Sequence, residues 1–227
     1  MPLKQEAEIE VTAFRWVPQG AQGLVKDLRV RWALEEAGLD YRVRLIGPER
    51  PPRYLEDQPF NQVPCFRDER VQIFESGAIL QYIGEKTELL LPRQTQARIR
   101  AVQWTYAAAN SIEPFVQHRV LLDVIFADEE WATQSKPTMD QLARLRLQQL
   151  SGWLTGRLWL EDDRFTIGDL MMVTVLRIAD RGGLLSDFPI LSDYVRRGQE
   201  RAAFKQALGD QLAVYTANPP HLEGAAA

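Results

Sequence analysis

The sequence changes character near Lys86, and this change constrains the fold more than any other feature. Before it, stretches with the two-residue alternation of β-strands, such as IEVTAF and YRVRLI, are separated by a stretch with helical spacing. After it, the long periodic stretches all have the spacing of a helix. The pattern therefore predicts a small α/β domain followed by an all-helical one.

The predicted order of elements in the first part is βαβ, then an irregular helix, then ββα. The helical stretch LVKDLRVRWALEEAG ends at Gly38, a residue typical of helix C-termini. A loop rich in proline and polar residues carries a short helix near Tyr54. Two short strands, CFRD and VQIF, are close enough to form a hairpin around Glu69, and a helix follows from Ser76 to about Glu85.

The second part is predicted to be helical throughout. Its helices are expected over about residues 98–112, 139–159, 166–180 and 190–208. Pro114 should end or kink the first of them, and TELLLPRQTQ, with Pro92, has the composition of a linker. The predicted domains are 1–86, a linker over 87–96, and 97–227.

Composition and charge exclude several functional classes. Among 227 residues, 45% are apolar and 26% charged, with a net charge of -4 and no basic run, which argues against a nucleic-acid partner. No apolar stretch is long enough to span a membrane, and MPLKQEAEIE lacks the apolar run of a signal peptide. A single cysteine and two histidines predict no internal disulfide and no histidine-based metal site. A cytoplasmic protein is expected.

The dipeptide Val63-Pro64 has two interpretations. Pro64 can begin a strand, where its missing N–H does no harm. Alternatively, the bond is cis and exposes the main chain of Val63 as an open edge, to which an extended peptide can pair. Because only about 5–6% of X–Pro bonds in folded proteins are cis, the dipeptide alone favours the first interpretation.

Glu75-Ser76 makes the second interpretation more attractive. Ser76 suits the first turn of a helix for structural reasons alone, but free N–H groups and a hydroxyl at a helix N-terminus also bind anions. The neighbouring carboxylate of Glu75 could take an ammonium group. The pair therefore suits the head group of an amino acid, which carries both charges on neighbouring atoms.

Several spaced motifs resemble the glutathione transferase family. QPFNQVPCF with FESGAILQYIGEK is similar to its glutathione-binding signature, DLRVRWALEEAGLDY to its first helix and second strand, FTIGDLMMVTVLR to its helical-domain motif, and NSIEPF to bacterial members. The resemblance implies a thioredoxin-like N-terminal domain, a helical C-terminal domain, a homodimer, and glutathione as co-substrate.

The resemblance also implies a role for individual residues. Val63 would bind the cysteinyl main chain of glutathione, with Pro64 cis. Glu75 and Ser76 would bind the γ-glutamyl end, and Gln62 would lie near the glycyl end.

The Tyr, Ser or Cys that family members place near the glutathione sulfur is missing. The expected position falls between Leu24 and Asp27 when counted from the helix, and near Trp16 when counted from the strand. Lowering a thiol pKa from about 8.5 by about two units requires about 2.7 kcal/mol. A hydrogen bond to a charged acceptor contributes about 1.5–3 kcal/mol and a helix N-terminus about 0.3–1 kcal/mol. Two loop amides, or Trp16 with one amide, could approach this value.

Three other features have weaker functional interpretations. Cys65 could exchange thiols with glutathione, but its position in a strand favours packing. Trp104 and Asn110 lie on the helix that, in the family, lines the pocket of the second substrate. Thr166 and Asp169 fit a helix-capping box and not a catalytic pair.

The sequence thus favours an enzyme that conjugates glutathione to a small apolar electrophile, without a metal. Two alternatives stay open: a non-catalytic glutathione-binding or interaction protein, and a glutathione-dependent disulfide reductase.

Overall fold

The computed structural model describes residues 2–161 and 163–219. The first elements are β1 (Ile9–Phe14), a 3-10 turn (Gln19–Ala21), α1 (Asp27–Ala37), β2 (Tyr41–Ile46), α2 (Tyr54–Asp57), β3 (Cys65–Arg67), β4 (Gln72–Phe74) and α3 (Ser76–Glu85). They are followed by α4 (Thr95–Ala107), a π-helical turn (Ala108–Ile112), α5 (Glu113–Val124), α6 (Glu130–Leu154), α7 (Ile167–Arg181), α8 (Pro189–Gln199) and α9 (Ala202–Ala217).

The four strands form one mixed sheet in the order β2-β1-β3-β4. Strands β1 and β2 are parallel and are connected through α1, whereas β3 pairs antiparallel with both β1 and β4. Val11 and Ala13 are buried, and so is Thr12 between them, because both faces of β1 are covered. This order of elements confirms the predicted thioredoxin-like βαβαββα arrangement followed by helices.

Contacts divide the described residues into two compact units. One contains residues 2–79 and the C-terminal helix α9, and the other contains residues 80–161 and 163–201. In the first unit α9 packs on α1, where the rings of Trp32 and Phe204 meet edge to face at 4.9 Å. The domain boundaries at 86 and 97 stay a prediction, because the contacts group the last helix with the first part of the chain.

The bounds of several helices differ from the sequence-based ones. The helix expected to reach residue 112 ends at Ala107, and Pro114 occupies the first turn of α5, where its missing N–H is tolerated. Helix α6 begins at Glu130, nine residues before the expected start, with Pro137 inside it. The single helix expected over 190–208 is two helices, α8 and α9. Within the described residues, no helix combines the length and apolar character that crossing a bilayer requires.

The predicted capping box is present at the start of α7. The hydroxyl of Thr166 accepts from the amide of Gly168, and Asp169 Oδ2 accepts from the amide of Thr166 at 2.9 Å. Asp169 Oδ1 also accepts from the amide of Leu160 and the hydroxyl of Tyr194, each at 2.8 Å. Asp169 therefore holds three segments of the helical unit together from a fully buried position.

Replacing Asp169 should destabilise this unit more than removing an exposed cap does. Asp169→Asn puts an NH2 group against buried donors and should lower the free energy of unfolding by about 3 kcal/mol. Thr166→Ala should cost about 1 kcal/mol. Gln94→Ala, which removes the exposed cap of α4, is the control and should cost less than about 0.5 kcal/mol. Urea unfolding measures all three. Equal effects for Asp169→Asn and Gln94→Ala would contradict a structural role for the network.

Candidate functional site

The β3–β4 hairpin brings the two predicted glutathione-binding dipeptides together. Cys65, the first residue of β3, is paired with Phe74, the last residue of β4. Val63-Pro64 directly precedes the first of these residues, and Glu75-Ser76 directly follows the second. Because the strands are antiparallel, both dipeptides lie at the same end of the hairpin.

Val63 has a buried side chain and a free main chain. Its side chain is part of a small apolar cluster with Ile46, Tyr54 and Cys65, onto which Phe14, Val25 and Phe74 pack. The Val63–Pro64 peptide bond is cis, which confirms the expectation from the family resemblance. Within residues 2–161 and 163–219, the N–H and C=O of Val63 make no hydrogen bond. Both groups are therefore available to the main chain of an extended peptide.

Two buried hydroxyls hold the chain on either side of this dipeptide. Tyr54 Oη donates to the carbonyl of Gln62 at 2.6 Å, and Thr12 Oγ1 accepts from the amide of Cys65 at 2.6 Å. Burial raises the pKa of Tyr54 to about 12, so its hydroxyl stays protonated and keeps donating at neutral pH. The side chain of Gln62 is exposed, so it can reach a ligand.

Glu75 and Ser76 form the entry into α3. Glu75 is exposed and adopts a left-handed conformation with φ of 68°, which is uncommon for a residue other than glycine and is often found at functional sites. Ser76 is buried, and its Oγ accepts a hydrogen bond of 3.1 Å from Arg29 Nη1. Because a serine hydroxyl can donate as well as accept, its proton stays available for a ligand carboxylate.

Sequence reasoning missed Arg29 as part of this site. The residue lies in the middle of α1 and is 2% exposed, although arginine is almost never fully buried unless it is paired. Helical spacing alone could not assign Arg29 to the buried face, since it is charged. Only the contact between α1 and the start of α3 identifies its role in orienting Ser76.

The segment that leads into α1 contacts the apolar cluster that contains Val63. The carbonyls of Val25 and Lys26 accept the first helical hydrogen bonds, from Leu28 at 3.0 Å and from Arg29 at 3.2 Å. The side chain of Val25 packs against the apolar cluster that contains Val63. This contact brings the segment before α1 to the same apolar cluster as the proposed binding edge.

Trp16 is 36% exposed in the loop after β1, and none of the described residues accepts a hydrogen bond from its indole N–H. Its contact with the glutathione sulfur stays a prediction.

Cys65 is buried, as the packing interpretation predicts. Its side chain is 5% exposed and donates a weak hydrogen bond of 3.5 Å to the carbonyl of Asp57. Burial raises the pKa of the Cys65 thiol, which disfavours the reactive thiolate. Among the described residues, no three His, Cys, Asp or Glu side chains converge on a potential metal site.

Trp104 and Asn110 lie in the helical unit. Trp104 Nε1 donates to Glu161 at 2.8 Å, and its ring lies 5.2 Å from that of Trp153. It borders a cavity of about 230 Å³ between α4 and α6, which is also lined by Leu150 and Arg146. Asn110 is exposed in the π-helical turn, a feature that is frequent at functional sites. Their contact with a second substrate stays a prediction.

Comparisons with known proteins agree with this geometry. Residues 22–85, which include both dipeptides, match the model of the N-terminal domain of glutathione S-transferases. Glutathione S-transferase 1 from Zea mays is 30% identical over 156 residues, which span 65% of this chain and 72% of that protein. The chain belongs to the glutathione transferase family.

A second curated relative and a solved structure are also similar to the chain. The disulfide-bond oxidoreductase YfcG from Escherichia coli K12 is 29% identical over 191 residues, covering 77% of this chain and 86% of that protein. A glutathione transferase from Burkholderia graminis, with two glutathione molecules bound per subunit, superimposes with a TM-score of 0.77 at 23% identity. That match covers 89% of this chain and 88% of the other, and it shows a shared fold.

The buried Cys65 thiol should react slowly in the native protein. We expect alkylation by iodoacetamide at neutral pH to be at least about tenfold slower in the native protein than in urea, because burial restricts access and disfavours the thiolate. Mass spectrometry of timed samples measures both rates, with free glutathione in each buffer as the control for reagent reactivity. Equal native and unfolded rates would show that Cys65 is accessible.

Proposed function

We propose that this protein is an enzyme that conjugates glutathione to a small apolar electrophile. The thiolate of the bound glutathione attacks the electrophile. The proposed glutathione-binding residues are Gln62, Val63, Pro64, Glu75 and Ser76. The observation that carries the proposal is the hairpin register. It brings a free main-chain edge and the N-terminus of a helix to one end of the sheet.

Each part of glutathione has a matching group in the proposed complex. The N–H and C=O of Val63 pair with the cysteinyl main chain, as in the addition of a β-strand. The γ-glutamyl carboxylate accepts from the hydroxyl of Ser76 and from the amides at the start of α3. The exposed carboxylate of Glu75 takes the ammonium group of the same residue. Gln62 contacts the glycyl end.

In the proposed conjugation, the sulfur uses a lone pair to form a bond to the electrophilic carbon. With a chlorinated aromatic, the carbon–chlorine bond breaks and chloride leaves with the bonding pair, while the thiol proton has already gone to water. The protein contributes proximity and stabilisation of the sulfur charge. Trp16 or the amides near Val25 are the proposed donors, since the described residues offer no hydroxyl or thiol between Leu24 and Asp27.

Similarity to a disulfide-bond oxidoreductase favours disulfide reduction as a second candidate function. One glutathione thiolate would attack a disulfide sulfur, releasing one thiolate and leaving a mixed disulfide. A second glutathione thiolate would then attack the glutathione sulfur of that mixed disulfide, releasing the other thiol and forming oxidised glutathione. Both thiols must come from glutathione in this scheme, because Cys65 is buried.

A cytoplasmic homodimer is proposed from the family resemblance alone. Size-exclusion chromatography with light scattering tests the dimer directly: a mass near 52 kDa, twice the chain mass of 26.0 kDa, supports it. A mass equal to that of one chain would contradict it.

Replacing the residues that hold the γ-glutamyl end should weaken glutathione binding. We expect Ser76→Ala and Glu75→Gln each to raise the Kd about 10- to 100-fold, because each removes one charge-assisted hydrogen bond or ion pair. Glu69→Gln is the matched control, since Glu69 is an exposed carboxylate at the other end of the same hairpin. Isothermal titration calorimetry measures all three. Unchanged affinity in Ser76→Ala would mean that glutathione binds elsewhere.

Activity assays separate the candidate functions once glutathione binding is measured. Turnover of 1-chloro-2,4-dinitrobenzene supports conjugation, and turnover of 2-hydroxyethyl disulfide supports disulfide reduction. Glutathione binding without either activity would support the non-catalytic alternative. The absence of glutathione binding in the unmodified protein would overturn the proposed function.

A further inference from the structure

Unpaired polar atoms are concentrated at one place in the first unit. Each buried side-chain nitrogen or oxygen that lacks a hydrogen-bond partner within 3.5 Å, among the described residues, lies on α1, on α9 or at the start of β2. These atoms are Arg31 Nη1 and Nη2, Glu35 Oε1, Tyr41 Oη, Asp210 Oδ2, Gln211 Oε1 and Tyr215 Oη. The Glu35 carboxylate and the Tyr41 hydroxyl face each other, so these atoms form one buried polar cluster. Buried polar groups are normally paired.

Asp27 connects this polar cluster to the N-terminal end of α1. The residue is fully buried, and each of its carboxylate oxygens accepts one hydrogen bond from a buried side chain. Arg31 Nε donates to Oδ2 at 2.8 Å, and Gln211 Nε2 donates to Oδ1 at 2.7 Å. Gln211 Nε2 also lies 3.3 Å from the carbonyl of Val25. One amide of the last helix therefore holds the first residue of α1 and a residue just before this helix.

Stability alone does not explain why a glutamine occupies position 211. Its side chain is completely buried, and Oε1 has no partner within hydrogen-bond distance among the described residues. The cost of that unpaired oxygen offsets the gain from the bonds that Nε2 makes. An apolar side chain of similar volume would fill the space between the two helices without this cost. An apolar side chain, however, could not donate to Val25 and Asp27 and so could not fix their positions.

Val25 matters because it packs on the apolar cluster next to the proposed binding edge, and Asp27 follows it by two residues as the first residue of α1. The side chain of Val25 contacts the apolar cluster that contains Val63, whose main chain would hold the cysteinyl residue of glutathione. The amides of this turn are the proposed donors to the sulfur. A shift of the helix end by about 1 Å would remove them from hydrogen-bond distance.

We propose that Gln211 is a positioning residue, which through Val25 and Asp27 fixes the N-terminal end of α1 against the glutathione sulfur. This inference rests on the proposed function. It assigns the C-terminal helix a role in activating the thiol, and none in holding the rest of the tripeptide, whose predicted contacts come from the β3–β4 hairpin and its flanking residues.

The test compares Gln211→Met with Gln206→Met. Methionine has a similar length and no charge but cannot donate to Val25 or Asp27. Gln206 lies on the same helix and, in the part of the chain that the structure describes, donates to Asp210 and not to Val25 or Asp27, so its replacement is the matched control. Both substitutions leave the neighbouring charges of Asp27, Arg31, Glu35 and Asp210 in place. Gln211→Asn, which keeps the amide but shortens it, is a second variant in case Gln211→Met fails to fold.

Three readouts distinguish positioning of the sulfur from general damage to the fold, and one of them is kcat with 1-chloro-2,4-dinitrobenzene. The pH dependence of the ultraviolet absorbance of bound glutathione reports the pKa of its thiol, and calorimetry with S-methylglutathione reports binding of a tripeptide that has no thiol. In Gln211→Met we expect a higher thiol pKa and about a tenfold lower kcat, with the Kd for S-methylglutathione within about twofold of the unmodified protein.

An unchanged thiol pKa in Gln211→Met, or a parallel loss of S-methylglutathione binding, would overturn the inference while leaving the proposed function intact. Effects of the same size in Gln206→Met would also overturn it. Absence of glutathione binding in the unmodified protein would overturn the proposed function, and the inference with it.

Discussion

The antiparallel pairing of Cys65 with Phe74 is the constraint on which the rest of the site depends. It places two dipeptides that are separated by ten residues at the same end of one hairpin. It also brings together two different sets of main-chain groups. A strand edge offers alternating hydrogen-bond donors and acceptors, whereas a helix start offers only donors. A peptide with a charged head group would satisfy both, with its main chain paired to the edge and its carboxylate at the helix start.

Buried charges hold the helices around this hairpin. Arg29 and Arg31 are two residues apart in α1, yet both are buried, because one contacts Ser76 and the other Asp27. Buried ion pairs often add little net stability, although removing one partner typically costs about 3–5 kcal/mol. We propose that their main effect is to select one arrangement of the helices. A single fixed arrangement of the helices suits a site whose groups come from α1, the hairpin and α3.

Much of the fold followed from the sequence, because the first part of the chain combines strong alternation with clear end signals. The bounds of β2 and α3 agree with the prediction, and Gly38 ends α1 in a left-handed conformation. The helical part was harder, since helical spacing continues across the ends of α4 and α8 and no local signal marks the π-helical turn. Packing of α9 on α1 involves residues about 180 positions apart, which periodicity does not encode.

The two candidate reactions of this glutathione transferase place the same demand on charge. Both begin with a thiolate, and stabilising it by about two pKa units requires about 2.7 kcal/mol whichever electrophile it attacks. The reactions differ in the space that they require beside the glutathione sulfur. Disulfide reduction needs room for a second glutathione, whereas conjugation needs only an apolar pocket. Since Cys65 is sealed in the apolar cluster, the protein supplies no second thiol of its own. The choice between the reactions therefore depends on the size of the space next to the sulfur, more than on any single catalytic side chain.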